Sequence, residues 1–349
     1  MSGQIRVCMV TSYPPSQTGT GTYSSYLVDE LSRIADVGVL KWNYSGLGRI
    51  LAPVTGIFSL IRVMRDNDIV HVQYHLGDFQ FLFLPVLCLL RCILGARVFL
   101  TLHEDYTNLP FSWLFVAYHR LFYACADVLI IHASAQRATI TQRQSGRAVL
   151  IPHGVISRKA ARNPGRGVVL LPGFINPWKG HDTAIRAFAG VVQKQSGARL
   201  IIAGKAHDRR YARKIQELAG ELDLQDHVEF HTDFLPDKEL WKLYRRAEIC
   251  ILPYRRITMS GILCHILSWG IPSVLSDLDS FREFTRGRAV YCRPDDHRQL
   301  SAKILGLLGS DELKNRMARD FKKLAEEYSW KNAAQKTLSL YAKEHAKGD

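Results

Sequence analysis

Val168-Val169-Leu170-Leu171-Pro172-Gly173-Phe174-Ile175-Asn176-Pro177-Trp178-Lys179-Gly180-His181 reads as a buried strand that breaks into a loop and reopens as a helix. The apolar run Val168–Leu171 suits a strand covered on both faces. Gly173 and the Pro177–Gly180 run punctuate the chain, and a helical pattern follows. A lysine just before a helix, at the mouth of a strand, is placed to neutralise a diphosphate. The plain alternative for Lys179 is a surface lysine.

The same strand–loop–helix unit recurs in both directions. Downstream, Leu200–Ala203, His227–His231, Ile249–Leu252, Ser273–Ser276 and Ala289–Cys292 read as strands with helical patterns between them, and the chain ends in helices predicted over 297–308, 311–327 and 331–345. Upstream, Ile5–Val10, Val37–Lys41, Ile69–Gln73, Arg97–Thr101, Val128–Ile131 and Ala148–Ile151 read as strands, separated by helices near 22–34, 55–65, 79–94, 111–125 and 134–143. Alternation of this kind predicts an α/β protein with parallel sheets covered on both faces. The basic, Gly/Pro-bearing stretch Arg158–Gly167 reads as a linker between two doubly wound, Rossmann-like domains. A ligand cleft is expected between them, at the carboxyl ends of the strands.

Composition narrows the classes. Of 349 residues, 47% are apolar and 22% charged, a globular balance that excludes disorder and coiled coil. The seven cysteines include no Cys-x-x-Cys pair, which argues against a zinc ribbon or a disulfide framework and suits a reducing compartment. The run Val7–Val10 is too short for a signal peptide. The longest uncharged apolar run, Phe79–Leu90, falls short of the roughly 17–25 residues of a spanning helix. The net charge is +14, and it is uneven: residues 1–150 hold 12 Lys/Arg against 9 Asp/Glu, residues 151–349 hold 34 against 23. A positive field attracts anionic ligands or an anionic membrane. No nucleic-acid-binding motif accompanies it, so no nucleic-acid partner is expected.

Three further stretches carry chemistry. The loop Tyr13–Tyr23, with Gly19, Thr20 and Gly21, follows the first strand and opens a helix, where small residues let backbone amides approach a ligand; a structural turn explains it equally. His103, at the end of Arg97–Thr101, can bond a sugar hydroxyl or relay a proton, or serve as a structural histidine. Tyr254–Gly261 after Ile249–Leu252 combines Thr258, Ser260 and Gly261 with a helix start, an anion site that Arg255 and Arg256 would strengthen; the alternative is an ordinary Ser260 N-cap.

Taken together these residues resemble the family 4 glycosyltransferases, retaining enzymes of the GT-B fold. The resemblance runs through Gly19-Thr20-Gly21 and Tyr23, Asp68–Gln73, Thr101-Leu102-His103, Ile151–Val155, Pro177–Gly180 and Ile202-Ala203-Gly204. It continues to Ser268–Pro272, Ser276-Asp277 with Glu283, and Tyr328-Ser329-Trp330. Two glutamates common in the family are absent: counting back from Gly270-Ile271-Pro272, their slots hold Ile257 and His265. The run to Gly261 instead resembles a subgroup with a Thr-x-Ser-Gly donor loop, and Asn176 stands where that subgroup commonly has a basic residue.

The resemblance implies transfer of a sugar from a nucleotide diphosphate sugar to an acceptor hydroxyl, with retention, in glycan, polysaccharide or glycolipid biosynthesis. It implies an N-terminal acceptor domain over 1–152 and a nucleotide-sugar domain over 153–330. A last helix over 331–349 can pack back on the first domain. His103 and Lys179 are the expected catalytic residues. Thr258, Ser260, Gly261, His265 and Glu283 would bind donor, and Gly19, Thr20 and Gly21 would line the acceptor side. No cofactor or metal is expected. The expected partners are the sugar donor, a glycan or lipid-linked acceptor and an anionic membrane surface. The expected place is the cytoplasm, including the inner face of a membrane. The alternative is a GT-B scaffold that has lost catalysis.

Overall fold

The computed structural model describes residues 5–16, 18–42, 56–103, 112–158, 161–206, 208–257 and 259–347. The chain divides into two compact units, Met1–Gly154 with Tyr328–Asp349, and Val155–Glu327.

In the first unit, β1 (Arg6–Thr11), β2 (Asp36–Lys41), β3 (Ile69–Tyr74), β4 (Arg97–Leu102), β5 (Val128–Ile131) and β6 (Ala148–Leu150) form a parallel sheet in the order β2-β1-β3-β4-β5-β6. Its helices are α1 (Gly19–Leu31), α2 (Ile57–Asp66), α3 (Leu76–Leu94), α4 (Ser112–Phe122) and the short α5 (Gln142–Ser145). The expected helix over 134–143 is broken into a 3-10 turn, Ser134–Thr139, and α5. The break follows from Thr141, whose hydroxyl caps Gln144 N while the Gln144 side chain bonds back to Thr141 N. Side chains alternate across the sheet. Val70, Val72 and Tyr74 of β3 and Val98, Leu100 and Leu102 of β4 share a core with Leu60, Met64, Phe79, Phe83 and Leu87 from α2 and α3. The alternate residues of the same strands meet the chain's last helix: Tyr341 packs on Phe99 and bonds His71.

The second unit repeats the plan. Strands β7 (Val168–Pro172), β8 (Arg199–Ala203), β9 (Val228–His231), β10 (Ile249–Leu252), β11 (Ser273–Ser276) and β12 (Val290–Cys292) form a parallel sheet in the order β12-β11-β10-β7-β8-β9. Its helices are α6 (His181–Lys194), α7 (Arg209–Glu221), α8 (Asp237–Arg246), α9 (Gly261–Trp269), α10 (Asp279–Thr285), α11 (His297–Leu308) and α12 (Asp311–Glu327). The last helix, α13 (Trp330–His345), belongs to the first unit and packs on α1.

Of the stretch expected as a linker, Arg158–Gly167, residues 161–167 are instead held within the second unit. Asn163 N donates to Arg245 O, Gly165 N to Arg246 O and the Arg162 guanidinium to Ala247 O. Its Pro/Gly composition reads as a linker, yet those amides and the guanidinium satisfy carbonyls at the end of α8.

Each sheet turns back on itself beside its own first strand. β1 lies between β2 and β3, and β7 lies between β8 and β10. The loops that leave neighbouring strands there diverge to opposite sides and open a crevice at their carboxyl ends.

Candidate functional site

The switch point of the second unit gathers two of the stretches singled out in the sequence. The loop after β7 ends in a 3-10 turn, Pro177–Lys179, and Gly180 leads into α6 with φ at +68°. A Cβ on Gly180 would lie 2.0 Å from the Pro253 carbonyl oxygen, so only glycine lets this loop sit against the loop after β10. The two loops are tied further: Arg255 N donates to Trp178 O at 2.8 Å.

Lys179 is 5% exposed. Its ammonium lies 5.2 Å from the ring centres of both Trp178 and Tyr254 and 5.9 Å from that of Phe174. Among the described residues no carboxylate pairs with it. Aromatic faces recover part of the lost hydration, but burial still lowers its pKa from 10.5 to about 8. The neighbouring His181 is buried and held neutral, its pKa lowered to about 3 by burial and then by Lys179.

The start of α9 reaches the same place. A Cβ on Gly173 would lie 2.7 Å from Lys179 Nζ and 2.9 Å from Ile262 Cγ1, so the ammonium and the first turn of α9 meet around Gly173. Ser260 caps α9, its Oγ accepting from Leu263 N at 3.3 Å, which leaves the hydroxyl proton to donate elsewhere. The first amides of the helix have no partners within it. A Cβ on Gly261 would meet no atom within 4 Å. Thr258 lies outside the described residues.

Arg255, expected to strengthen this anion site, is already neutralised. Its guanidinium bonds Asp182 Oδ2 at 2.8 Å and Asp295 Oδ1 at 2.8 Å, and also donates to the Pro177 carbonyl. Asp182 and then Asp295 hold its pKa above the ordinary range. Arg255 therefore pins the loops that carry Lys179. Two other expected donor residues sit beside this centre rather than in it. His265, one turn into α9, stacks on Tyr244 of α8, and burial followed by the Arg158 charge lowers its pKa. Glu283 is half-buried on α10, which meets the Lys179 surroundings through Phe281 against Tyr254.

In the first unit, Gly19, Thr20 and Gly21 form the first turn of α1 rather than a loop. Thr18 caps that helix through Gly21 N at 3.0 Å, and Ser12 Oγ joins Thr18 Oγ1 at 3.0 Å and Ser16 Oγ at 3.1 Å. At Gly21 a Cβ would press on Thr18 Oγ1 at 3.0 Å, so the cap would have to shift; at Gly19 a Cβ would meet nothing within 4 Å. Thr20 is buried.

His103 follows β4 and donates from Nε2 to Gln73 Oε1 at 2.9 Å. Gln73 Nε2 in turn faces Met9 Sδ at 3.1 Å and His71 Nε2 at 3.3 Å. His71 is fixed by Thr101 Oγ1 at 2.7 Å and by Tyr341 Oη at 2.5 Å. Tyr23 of α1 lies within 4.7–5.1 Å of the rings of His103, His132, His153 and Trp330. Burial keeps three of these histidines neutral: it lowers the His71 pKa to about 3, the His132 pKa to about 4 and the His103 pKa well below its usual value. His132 and Tyr341 carried no signal of their own in the sequence, and His71 entered only as part of the run Asp68–Gln73. His71 lies inside an apolar strand, and Tyr341 comes from 270 positions away. Among the described residues no three His, Cys, Asp or Glu side chains converge as a metal site.

Residues 154–324 match the family model described as Glycosyl transferases group 1. The fold is GT-B. The chain is 26% identical over 205 residues to a phosphatidyl-myo-inositol mannosyltransferase of Mycobacterium leprae, an overlap covering 56% of this chain and 53% of that one. It is 26% identical over 185 residues to a D-inositol 3-phosphate glycosyltransferase of Nocardia farcinica, covering 51% and 41%. The chain thus spans about half the length of the curated relatives it matches. Among solved structures, the GT-B protein HepE of Anabaena, in complex with UDP and glucose, superposes with a TM-score of 0.74 at 13% identity, covering 97% of this chain and 99% of that one. The group 1 match begins at Gly154, beside the start of the second unit, and includes Lys179, Ser260, Gly261, His265 and Glu283.

Proposed function

We propose that this chain is a retaining glycosyltransferase of family 4 type, moving a sugar from a nucleoside diphosphate sugar to an acceptor hydroxyl in glycan, polysaccharide or glycolipid synthesis. One observation carries the donor assignment: a buried lysine, unpaired by any described carboxylate, meets the first turn of α9 at the switch point of the second sheet. A cation kept from water with no counter-ion fits an anionic ligand that supplies one. The group 1 match over these residues and the UDP-bound structural neighbour agree with a nucleotide donor. Retention of configuration rests on the family resemblance.

In this reading, negative charge grows on the leaving diphosphate as the glycosidic bond breaks. Lys179, the Ser260 hydroxyl and the α9 amides at Gly261 and Ile262 stabilise it. Thr258, His265 and Glu283 complete the donor side. His103 acts at the sugar or acceptor, with its proton held on Nε2 by Gln73 and its Nδ1 left as an acceptor. Gly19–Gly21 line the acceptor side, and lipid-linked acceptors at a membrane surface are within the proposal.

The test is calorimetry of the full chain with UDP and GDP, followed by a transfer assay with the sugar nucleotide of whichever binds. Binding with transfer is the expected result. Absence of binding by either diphosphate at millimolar concentration overturns the donor assignment. Binding without hydrolysis or transfer assigns the chain to the scaffold alternative.

A further inference from the structure

Among the described residues, eleven large apolar side chains stand exposed, and seven of them lie on α2, α3 and α4 of the first unit. Phe58 on α2 is 79% exposed, and Trp113 and Leu121 on α4 are each 67% exposed. On α3, Leu82, Leu89 and Ile93 recur at steps of seven and four residues, a single line along the helix. The inner sides of α2 and α3, together with Tyr118 and Phe122 of α4, pack on one core, and α3 contacts both neighbours. Their outer sides therefore form one continuous layer.

The exposed charges on that layer are three arginines against one acid, Asp66, so the face is net basic. Arg62 and Arg65, both exposed, follow Phe58 at four and seven residues, and the exposed Arg120 follows Trp113 at seven. Each aromatic thus shares a helical line with arginine. Among the described residues of the three helices the only acids are Asp66, which pairs with Arg62 at 3.4 Å, and Asp78, which is buried. No described helix is long and apolar enough to cross a membrane. Apolar and aromatic side chains on a net basic face suit burial in the headgroup zone of an anionic bilayer, where both groups find partners. A second copy fits less well, since a twofold contact would bring the arginine lines of two chains together.

We infer that the outer face of α2, α3 and α4 docks on an anionic lipid surface. The inference does not depend on the donor site, and its test contains no sugar nucleotide. The full chain is floated with vesicles of phosphatidylcholine and phosphatidylglycerol and with vesicles of phosphatidylcholine alone. Binding is expected to the anionic vesicles, to be weaker on the neutral ones, and to fall as salt rises toward about 1 M, where the Debye length is about 3 Å. Phe58→Ser with Trp113→Ser should lower partitioning about tenfold or more, since apolar burial drives insertion. Arg62→Gln with Arg65→Gln should lower it about tenfold on the anionic vesicles only. Leu89→Gln with Ile93→Gln provides an independent pair, and thermal melting of each variant reports that the fold is kept. No flotation at low salt overturns the inference, as does binding that all three pairs leave unchanged. A concentration-dependent dimer in sedimentation, abolished by these pairs in a chain that does not float, assigns the face to a second copy and overturns it as well.

Discussion

Lys179 is buried and His103 half-buried, each at the carboxyl end of a strand in its own unit, but their surroundings assign them different work. Lys179 has aromatic faces and no described counter-ion, so its charge is available to a ligand. Lys179→Ala should reduce transfer by about 10–150-fold with every acceptor, the scale of a lost charge-assisted hydrogen bond of about 1.5–3 kcal/mol. Lys179→Arg should recover little, because the compact space under Gly173 does not fit a guanidinium fork. His103→Ala, measured beside it, should lower transfer while diphosphate affinity stays near that of the unaltered chain. The pH dependence has a definite sign. Burial lowers the Lys179 pKa from 10.5 to about 8, so between those values the native chain binds fewer protons than the unfolded one. This residue's contribution to the stability of the unliganded protein is then highest above 10.5 and lost as pH falls through about 8. Diphosphate needs the charged form, so affinity should fall as pH rises above about 8, and Lys179→Met should flatten that fall; calorimetry across this range reads both. The sequence carried the Lys179 signal because strand, rigid loop and helix are local. That Arg255 would be consumed by Asp182 and Asp295 could not be read, since those carboxylates come from the first turn of α6 and the loop after β12.

At the level of elements, the meeting of the β7 and β10 loops depends on Gly180. Its left-handed backbone costs an L-residue about 1–2 kcal/mol, and a Cβ would strike the Pro253 carbonyl. Gly180→Ala should therefore destabilise the second unit by more than that strain alone and weaken diphosphate binding, as denaturant melts and calorimetry would show. Gly197→Ala is the control, since a Cβ there meets nothing within 4 Å. A loss at Gly197 equal to that at Gly180 would contradict the assignment. The strands and the last helices were legible as elements because their apolar periodicity is local: Ile249–Leu252, Ser273–Ser276 and 297–308 are found as expected. Two readings failed where side chains compete with backbone. Thr141 and Gln144 break the helix expected over 134–143, and the Arg158–Gly167 stretch serves carbonyls of α8.

At the scale of the molecule, the chain leaves the first unit at Gly154 and returns to it at Tyr328. A Cβ on Gly154 would lie 2.1 Å from Trp330 Cδ2, so exit and return are packed against each other. The returning helix α13 delivers Tyr341, fully buried, to His71. Tyr341→Phe keeps the ring on Phe99 and removes only the hydroxyl, leaving His71 Nδ1 without its partner. The expected cost is about 1–3 kcal/mol, the penalty for an unsatisfied buried group, read from the urea midpoint of the first unit's transition. An unchanged midpoint would show that the bond contributes nothing to holding α13.

The sequence by itself determined the two doubly wound units, the strand order of elements along the chain, and the loops that end at Lys179, Ser260–Gly261 and His103. These follow from period, turn residues and helix starts, all set within a few residues of one another. Only the tertiary structure decided which charges remain available and which are spent. Lys179 is unpaired among the described residues, whereas Arg255 is held by Asp182 and Asp295. It also placed His71, Gln73, His103 and Tyr341 in one hydrogen-bonded line, and set the exposed faces of α2, α3 and α4 side by side. The physical reason is range: electrostatic pairing, burial and surface continuity depend on neighbours in space, and those neighbours are brought together only when the sheets close and their helices pack.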